Sequence, residues 1–229
     1  MEEYSQCPEM IILTNSLTEN AFAGLHRRNQ IEGREHDGHM IANCFLLNED
    51  KETFQSPVHV LDIFWMLFGK IIQDDFGGYP DPKYPKKLVF IERIISFCKK
   101  NNSRYIGEGE FKNKPMIIMC FLPLGLGINK IANATKKLLE DNHVIDDYRI
   151  VCINCSEDGK ALERIEKERI NATNEGKKGV LVLSGTQCSL AATIPDCDIT
   201  ILLNDSKSYD MISQMMHRGM TSGKNKKFG

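Results

Sequence analysis

The sequence predicts an α/β fold in which a parallel sheet is covered by helices on both faces. From residue 115 onwards, short runs of consecutive apolar residues alternate with longer segments whose apolar residues recur at helical spacing. Strands that are buried on both faces read as continuous apolar runs, and a helix between two strands makes them parallel. In open sheets of this kind ligands bind at the carboxyl ends of the strands, so the residues that follow each run are the candidate site.

Four strands and three helices are predicted between residue 115 and the end of the chain. The predicted strands are Pro115–Leu122, Tyr148–Ile153, Val180–Leu183 and Ile199–Leu203. The predicted helices are Ile128–Asp141, Ala161–Thr173 and Ser208–His217. Each helix comes after a strand, which is the order that a parallel sheet requires.

A helical insertion is predicted at residues 57–111, ahead of the sheet. Within it, Val58–Ile72 and Lys86–Lys100 both carry apolar residues close to helical spacing. A segment rich in glycine and proline separates these two helices, because neither residue type continues regular structure there.

The rest of the chain is assigned to two further units. Residues 1–56 are a lead-in segment of uncertain fold, in which Glu9–Thr14 and Ile41–Leu47 are apolar enough to be strands. Residues 112–229 contain the predicted sheet and all the candidate site residues.

The composition is that of an ordinary globular protein, with 229 residues, of which 41% are hydrophobic and 26% charged. No apolar run reaches the length of about 18–20 residues that a membrane-spanning helix needs. The first five residues, Met1–Ser5, lack the apolar core of a secretory leader. We therefore expect an intracellular protein with no membrane partner. The formal net charge of −2 argues against a small basic DNA-binding domain, although local basic patches are compatible with it.

Neither the cysteines nor the histidines form a pattern that predicts a metal site. The eight cysteines lack a disulfide framework spacing, so reduced thiols are expected. His36 and His39 lie in a charged segment without a second cluster at matching spacing, as in a solvated turn.

Two glycines, Gly125 and Gly127, lie between the first predicted strand and the first helix of the sheet. A helix amino terminus with such a turn can hold a phosphate group. However, Lys130 stands where the dinucleotide fingerprint has its third glycine, and the chain contains no Gly-x-x-x-x-Gly-Lys-Ser/Thr phosphate loop. One alternative that stays open is a doubly wound small-molecule enzyme that uses these glycines for a nucleotide cofactor.

Five short segments at strand ends, between two strands and in the last helix follow one another in a fixed order. They are Cys120–Pro123, Ser184–Thr186, Ile194–Pro195, Asn204–Asp205 and Gln214-x-x-His217-Arg218. As an ordered set these segments resemble motifs IV, V and VI of superfamily 2 helicases and translocases. Their spacing is similar to that of the chromatin-remodeller branch and of helicases of large DNA viruses. The resemblance covers about residues 112–229 and implies the second of two RecA-like domains, with intracellular location in the cytoplasm or in a virion.

The resemblance implies that ATP and Mg²⁺ bind between the two domains. By position Arg218 would be the arginine finger, which stabilises the charge that develops on the γ-phosphate and is worth roughly 10³–10⁵ in rate. Gln214 would orient water or phosphate. Contacts to the nucleotide are also implied at His217, Asp205 and Ala191.

A nucleic-acid partner, RNA or DNA, is implied at the same end of the sheet. Hydroxyl and amide groups at strand ends and at a helix amino terminus are suited to phosphate contacts. The implied residues are Ser184, Gly185, Thr186, Pro123, Gly125 and Gly127.

The chain departs from the family pattern at two positions. Thr221 stands where the family commonly has a second arginine, and Ala191 stands where motif V has glycine. The phosphate-loop lysine and the magnesium-binding box belong to the first RecA-like domain, and this sequence contains neither. We therefore expect a C-terminally truncated second domain that needs an N-terminal RecA-like domain, in cis or in trans. The second alternative that stays open is a catalytically inactive RecA-like binding module. Thr221 in place of the second arginine is the observation that suggests it.

Overall fold

The structure is a computed structural model centred on a four-stranded parallel sheet. It describes residues 9–10, 41–68, 90–106, 112–123, 128–153, 160–185, 194, 196–203, 208–217 and 226–227. The strands are β1 (Met116–Phe121), β2 (Tyr148–Ile153), β3 (Gly179–Ser184) and β4 (Cys197–Leu202). Their order across the sheet is β2-β3-β1-β4, and every neighbouring pair is parallel. The predicted sheet is confirmed, and β4 begins two residues earlier than predicted.

Six helices accompany the strands in the part of the chain that the structure describes. They are α1 (Ile41–Cys44), α2 (Pro57–Phe68), α3 (Phe90–Asn101), α4 (Ile128–Asp141), α5 (Ala161–Asn174) and α6 (Tyr209–Met216). A 3₁₀ turn, Ser103–Tyr105, follows α3. The bounds of α4 are those predicted, α5 ends one residue later than predicted, and α6 is one residue shorter than predicted at each end. None of these helices is long and apolar enough to span a bilayer.

The helices lie on both faces of the sheet, as predicted. On one face α4 packs on β2 and β3, and the apolar sides of α2 and α3 complete the same core. On the other face α5 packs on β2 and β3, and α6 packs on β4. This arrangement, an all-parallel sheet between two helical layers, is consistent with a RecA-like fold.

The side chains of β1, β2 and β3 alternate between these two cores. In β1 the residues Met116, Ile118 and Cys120 belong to the core under α2–α4. The alternate residues Ile117, Met119 and Phe121 belong to the core under α5 and α6. All six are buried, because a central strand with helices on both faces has no polar side.

The predicted strand at Ile41–Leu47 is wrong, because this segment is a short helix followed by a reversing turn. After α1, Leu47 forms a single antiparallel bridge with Phe54. Asp50 closes the turn, accepting hydrogen bonds from the backbone N–H groups of Glu52 and Thr53 at 2.8 and 3.1 Å. These bonds favour the carboxylate and lower the pKa of Asp50. Such side-chain bonds to the backbone compete with extended structure.

The predicted strand at Glu9–Thr14 lies outside the described residues beyond Met10. The backbone N–H of Glu9 donates to the carbonyl oxygen of Lys227 at 2.7 Å.

Gly179 opens β3 at a place where no side chain fits. A Cβ at this position would lie 2.8 Å from the Met116 carbonyl oxygen and 3.1 Å from the Tyr148 ring. Because the first neighbour is backbone, we expect Gly179→Ala to lower the free energy of unfolding by about 1–3 kcal/mol in urea denaturation. Gly176→Asn is the matched control, since Gly176 ends α5 with φ +67° and has open space around its Cα. Asparagine tolerates that conformation, so the control should change little.

Candidate functional site

The carboxyl ends of β1, β3 and β4 meet at one edge of the sheet. In the register of the sheet Phe121 lies opposite Ser184 on one side and opposite Leu202 on the other. The pairing continues past the strands, since Leu122 N–H donates to the Ser184 carbonyl and Leu203 N–H donates to the Phe121 carbonyl, both at 2.9 Å. The first residues after these three strands, Leu122, Gly185 and Leu203, therefore lie side by side.

Three of the predicted nucleic-acid residues lie at this edge and are buried. They are Pro123, Ser184 and Gly185. The hydroxyl of Ser184 donates to the carbonyl oxygen of Gly185 at 3.0 Å. The Ser184 hydroxyl is therefore engaged inside the protein, and its contact with a nucleic-acid phosphate stays a prediction. The other predicted contacts, Gly125, Gly127 and Thr186, lie outside the described residues.

Gln214 and His217 lie on the exposed side of α6. The helix begins after Ser208, whose hydroxyl accepts a hydrogen bond from Met211 N–H at 3.4 Å. Met215 is fully buried in the core under α5 and α6, which fixes the rotation of the helix. Gln214 and His217 are separated by three positions and therefore share the exposed side.

The imidazole of His217 is held by the preceding turn of α6. Its Nδ1 lies 2.6 Å from the carbonyl oxygen of Ser213 and 3.2 Å from the hydroxyl of the same residue. Because a carbonyl oxygen only accepts, Nδ1 carries the proton in this contact and Nε2 is the ring atom available to a ligand. Arg218 follows directly in the sequence, and Arg218, Asp205 and Ala191 lie outside the described residues.

A cationic side chain, that of Arg164, lies near this edge, and no role was predicted for it from the sequence. Arg164, in the first turn of α5, donates from its guanidinium to the carbonyl oxygen of Cys152 at 3.0 Å. Cys152 is the penultimate residue of β2, next to the end of β3. Arg164 lies within the predicted helix Ala161–Thr173, but only the packing of α5 on β2 shows where its side chain lies.

A buried ionic cluster occupies the opposite, amino-terminal edge of the sheet. Asp198 of β4 pairs with Arg104 and accepts a 2.6 Å hydrogen bond from the Tyr105 hydroxyl. Arg169 of α5 pairs with Asp196 at 2.8 Å, and Arg104 approaches the same carboxylate at 3.6 Å. Burial raises the pKa of Tyr105 to about 12. No sequence pattern signals this cluster, because its members come from three segments that lie far apart along the chain.

The thiols at the centre of the fold are buried and unpaired. Cys98, Cys120 and Cys197 are buried, and they are free cysteines. Burial raises the pKa of each of them and also raises that of Cys152, to about 11. They are therefore protonated and unreactive at neutral pH. The described residues contain no group of three or more metal-binding side chains.

Comparison with known proteins finds structural similarity of low score. No protein-family model and no curated protein matches the sequence. Among solved structures, the chain is similar to the C-terminal part of the Fun30 ATPase domain, with 12% identity and a TM-score of 0.34. The match covers 89% of this chain and 74% of the other. A similarity at this level says nothing about activity.

Proposed function

We propose that this chain is the second RecA-like domain of an ATP-dependent nucleic-acid helicase or translocase. The observation that supports the proposal is the arrangement of the sheet. The strands that end in the motif-like segments after Phe121, Ser184 and Leu202 are neighbours, and their ends lie at one edge. In a parallel sheet this edge is where ligands bind.

The residues of α6 fit the nucleotide side of such a site. Gln214 and His217 present exposed polar groups on one side of the helix, while Met215 anchors the other side in the core. The amide of Gln214 donates and accepts hydrogen bonds and can orient a phosphate or a water molecule, while the Nε2 of His217 can accept a hydrogen bond from water, because its Nδ1 proton is engaged by Ser213. When bound between the two domains, MgATP supplies the phosphoryl group that is transferred to water.

Arg218 would supply the positive charge at this site. It follows His217 directly, and a guanidinium beside the γ-phosphate stabilises the negative charge that develops there during transfer. Asp205 and Ala191 would line the same nucleotide. The nucleic acid would run along Pro123, Gly125, Gly127 and the segment Ser184–Thr186, where backbone amides and one exposed cation, Arg164, can meet phosphates.

The chain by itself should not hydrolyse ATP, because the sequence lacks the groups that hold the phosphates and magnesium. Phosphate release from the purified 229-residue chain, measured with ATP, Mg²⁺ and single-stranded nucleic acid, should equal that of a buffer control. Robust metal-dependent turnover that disappears in Arg218→Ala would contradict the proposal, because the chain would then contain a complete site.

A further inference from the structure

Lys226 is buried at the amino-terminal edge of the sheet. Its side chain is 6% exposed, and Nζ donates to the carbonyl oxygen of Cys197, the first residue of β4, at 2.5 Å. The backbone of the next residue is also hydrogen-bonded, because Lys227 N–H donates to the side-chain oxygen of Asn102 at 2.8 Å. Asn102 is fully buried. Lys227 in turn accepts a hydrogen bond from Glu9 N–H at 2.7 Å.

Residues 226–227 therefore contact three parts of the chain that are distant in sequence. They are the segment at Glu9, the end of α3 with its 3₁₀ turn, and the start of β4. The contacts reach from the lead-in segment to the end of the chain. A change in the strength of these contacts at residues 226–227 would therefore affect all of these segments.

The titratable groups that face the Lys226 ammonium come from α3, the 3₁₀ turn and the start of β4. They are Cys98 of α3, Arg104 of the 3₁₀ turn, and Asp196 and Cys197 at the start of β4. Burial is the largest influence and lowers the pKa of Lys226 to about 8, an effect that the positive charge of Arg104 reinforces. Cys98, Cys197 and Asp196 act in the opposite direction. The Arg104 charge is compensated by Asp198, with which it pairs.

We propose that Lys226 is a pH-responsive anchor, which holds residues 226–227 against the sheet more firmly when its amine is neutral than when it is charged. A neutral amine keeps an N–H donor for the Cys197 carbonyl, so the hydrogen bond survives deprotonation. The cost of removing a charge from water disappears at the same time.

The direction of the pH effect follows from the lowered pKa. In the unfolded chain Lys226 titrates near its ordinary value of 10.5, and in the folded chain near 8. Below about pH 8 both states are charged and the cost of burial is present in full. Between these two pKa values the unfolded chain binds more protons than the folded chain. The free energy of unfolding therefore rises with pH over this interval, as the cost of burying a charged amine disappears.

Thermal unfolding across pH 7–10 of the wild type, Lys226→Met and Lys227→Met tests the anchor. Methionine preserves the apolar stem and cannot be charged. The melting temperature of the wild type minus that of Lys226→Met should increase by about 5 °C or more between pH 7 and pH 10. Lys227→Met is the matched control, because the Lys227 side chain is exposed, and it should follow the wild type across the range. A difference between the wild type and Lys226→Met that is constant with pH would overturn the proposal.

An NMR titration of wild type labelled at the lysine side chains covers the case in which Lys226→Met does not fold. One lysine signal should titrate near pH 8, in the wild type and in Lys227→Met alike. If every lysine signal titrates near or above pH 10, the proposal is wrong.

Discussion

Replacing Arg218 by alanine should lower ATP turnover about 10³-fold or more in the assembly of this chain with a first RecA-like domain. The side chain would stabilise charge that exists only during phosphoryl transfer, so its loss should act on turnover and hardly on ground-state binding. Steady-state phosphate release measures the first, and titration with a labelled single strand measures the second. Nucleic-acid affinity should remain within about threefold, which is less than 1 kcal/mol.

Two further variants separate this effect from a general loss of positive charge. Arg218→Lys keeps the charge but lacks the planar fork that contacts two phosphate oxygens, so turnover should stay well below the wild type. Arg93→Ala removes an exposed arginine from α3, away from the candidate site, and should leave turnover unchanged. If Arg218→Ala and Arg93→Ala behave alike, Arg218 is a surface residue without a role in turnover.

Replacing Asp198 by alanine should lower the free energy of unfolding by about 3–5 kcal/mol. The carboxylate is 3% exposed and compensates the buried charge of Arg104, which is also 3% exposed. Its removal takes the nearest carboxylate away from the buried Arg104, which Asp196 approaches at 3.6 Å, and takes the acceptor away from the Tyr105 hydroxyl. Urea denaturation monitored by circular dichroism gives the value directly.

Two comparisons show whether the charge of Asp198 is responsible. Tyr105→Phe removes only the hydroxyl that donates to Asp198, so the expected loss is about 1–3 kcal/mol. Asp141→Ala removes an exposed carboxylate at the end of α4 and should change stability by no more than about 0.5 kcal/mol. A loss below about 1 kcal/mol in Asp198→Ala would show that the cluster does not hold the 3₁₀ turn to the sheet.

The sheet and its helices could be predicted because their signals are local. Continuous apolar runs and helical spacing are properties of six to fourteen neighbouring residues, and α4 has the predicted bounds Ile128–Asp141. The order β2-β3-β1-β4 could not be predicted in the same way, because it depends on pairing between distant segments. The strand at Ile41–Leu47 was wrong because apolar content outweighed a turn signal, Asp50, three residues further on.

The sheet edge at which the candidate site lies could be predicted from the sequence, but the contacts of the individual side chains could not. The rule that ligands collect at the carboxyl ends of parallel strands places Pro123 and Ser184 together, and their strands are neighbours. The Ser184 hydroxyl is buried and donates to the Gly185 carbonyl, a contact that no sequence pattern indicates. The buried pair of Arg104 and Asp198 joins residues separated by 94 positions, so neither residue signals the other.

The most direct test of the proposed function is reconstitution with the first RecA-like domain that carries the phosphate loop. ATP turnover by that domain would be measured with and without this chain, in the presence and absence of single-stranded nucleic acid. The proposal predicts that turnover rises only when both the chain and the nucleic acid are present, because the chain completes the site and the strand brings the domains together. Turnover that is the same with and without this chain would contradict the assignment and favour an inactive binding module.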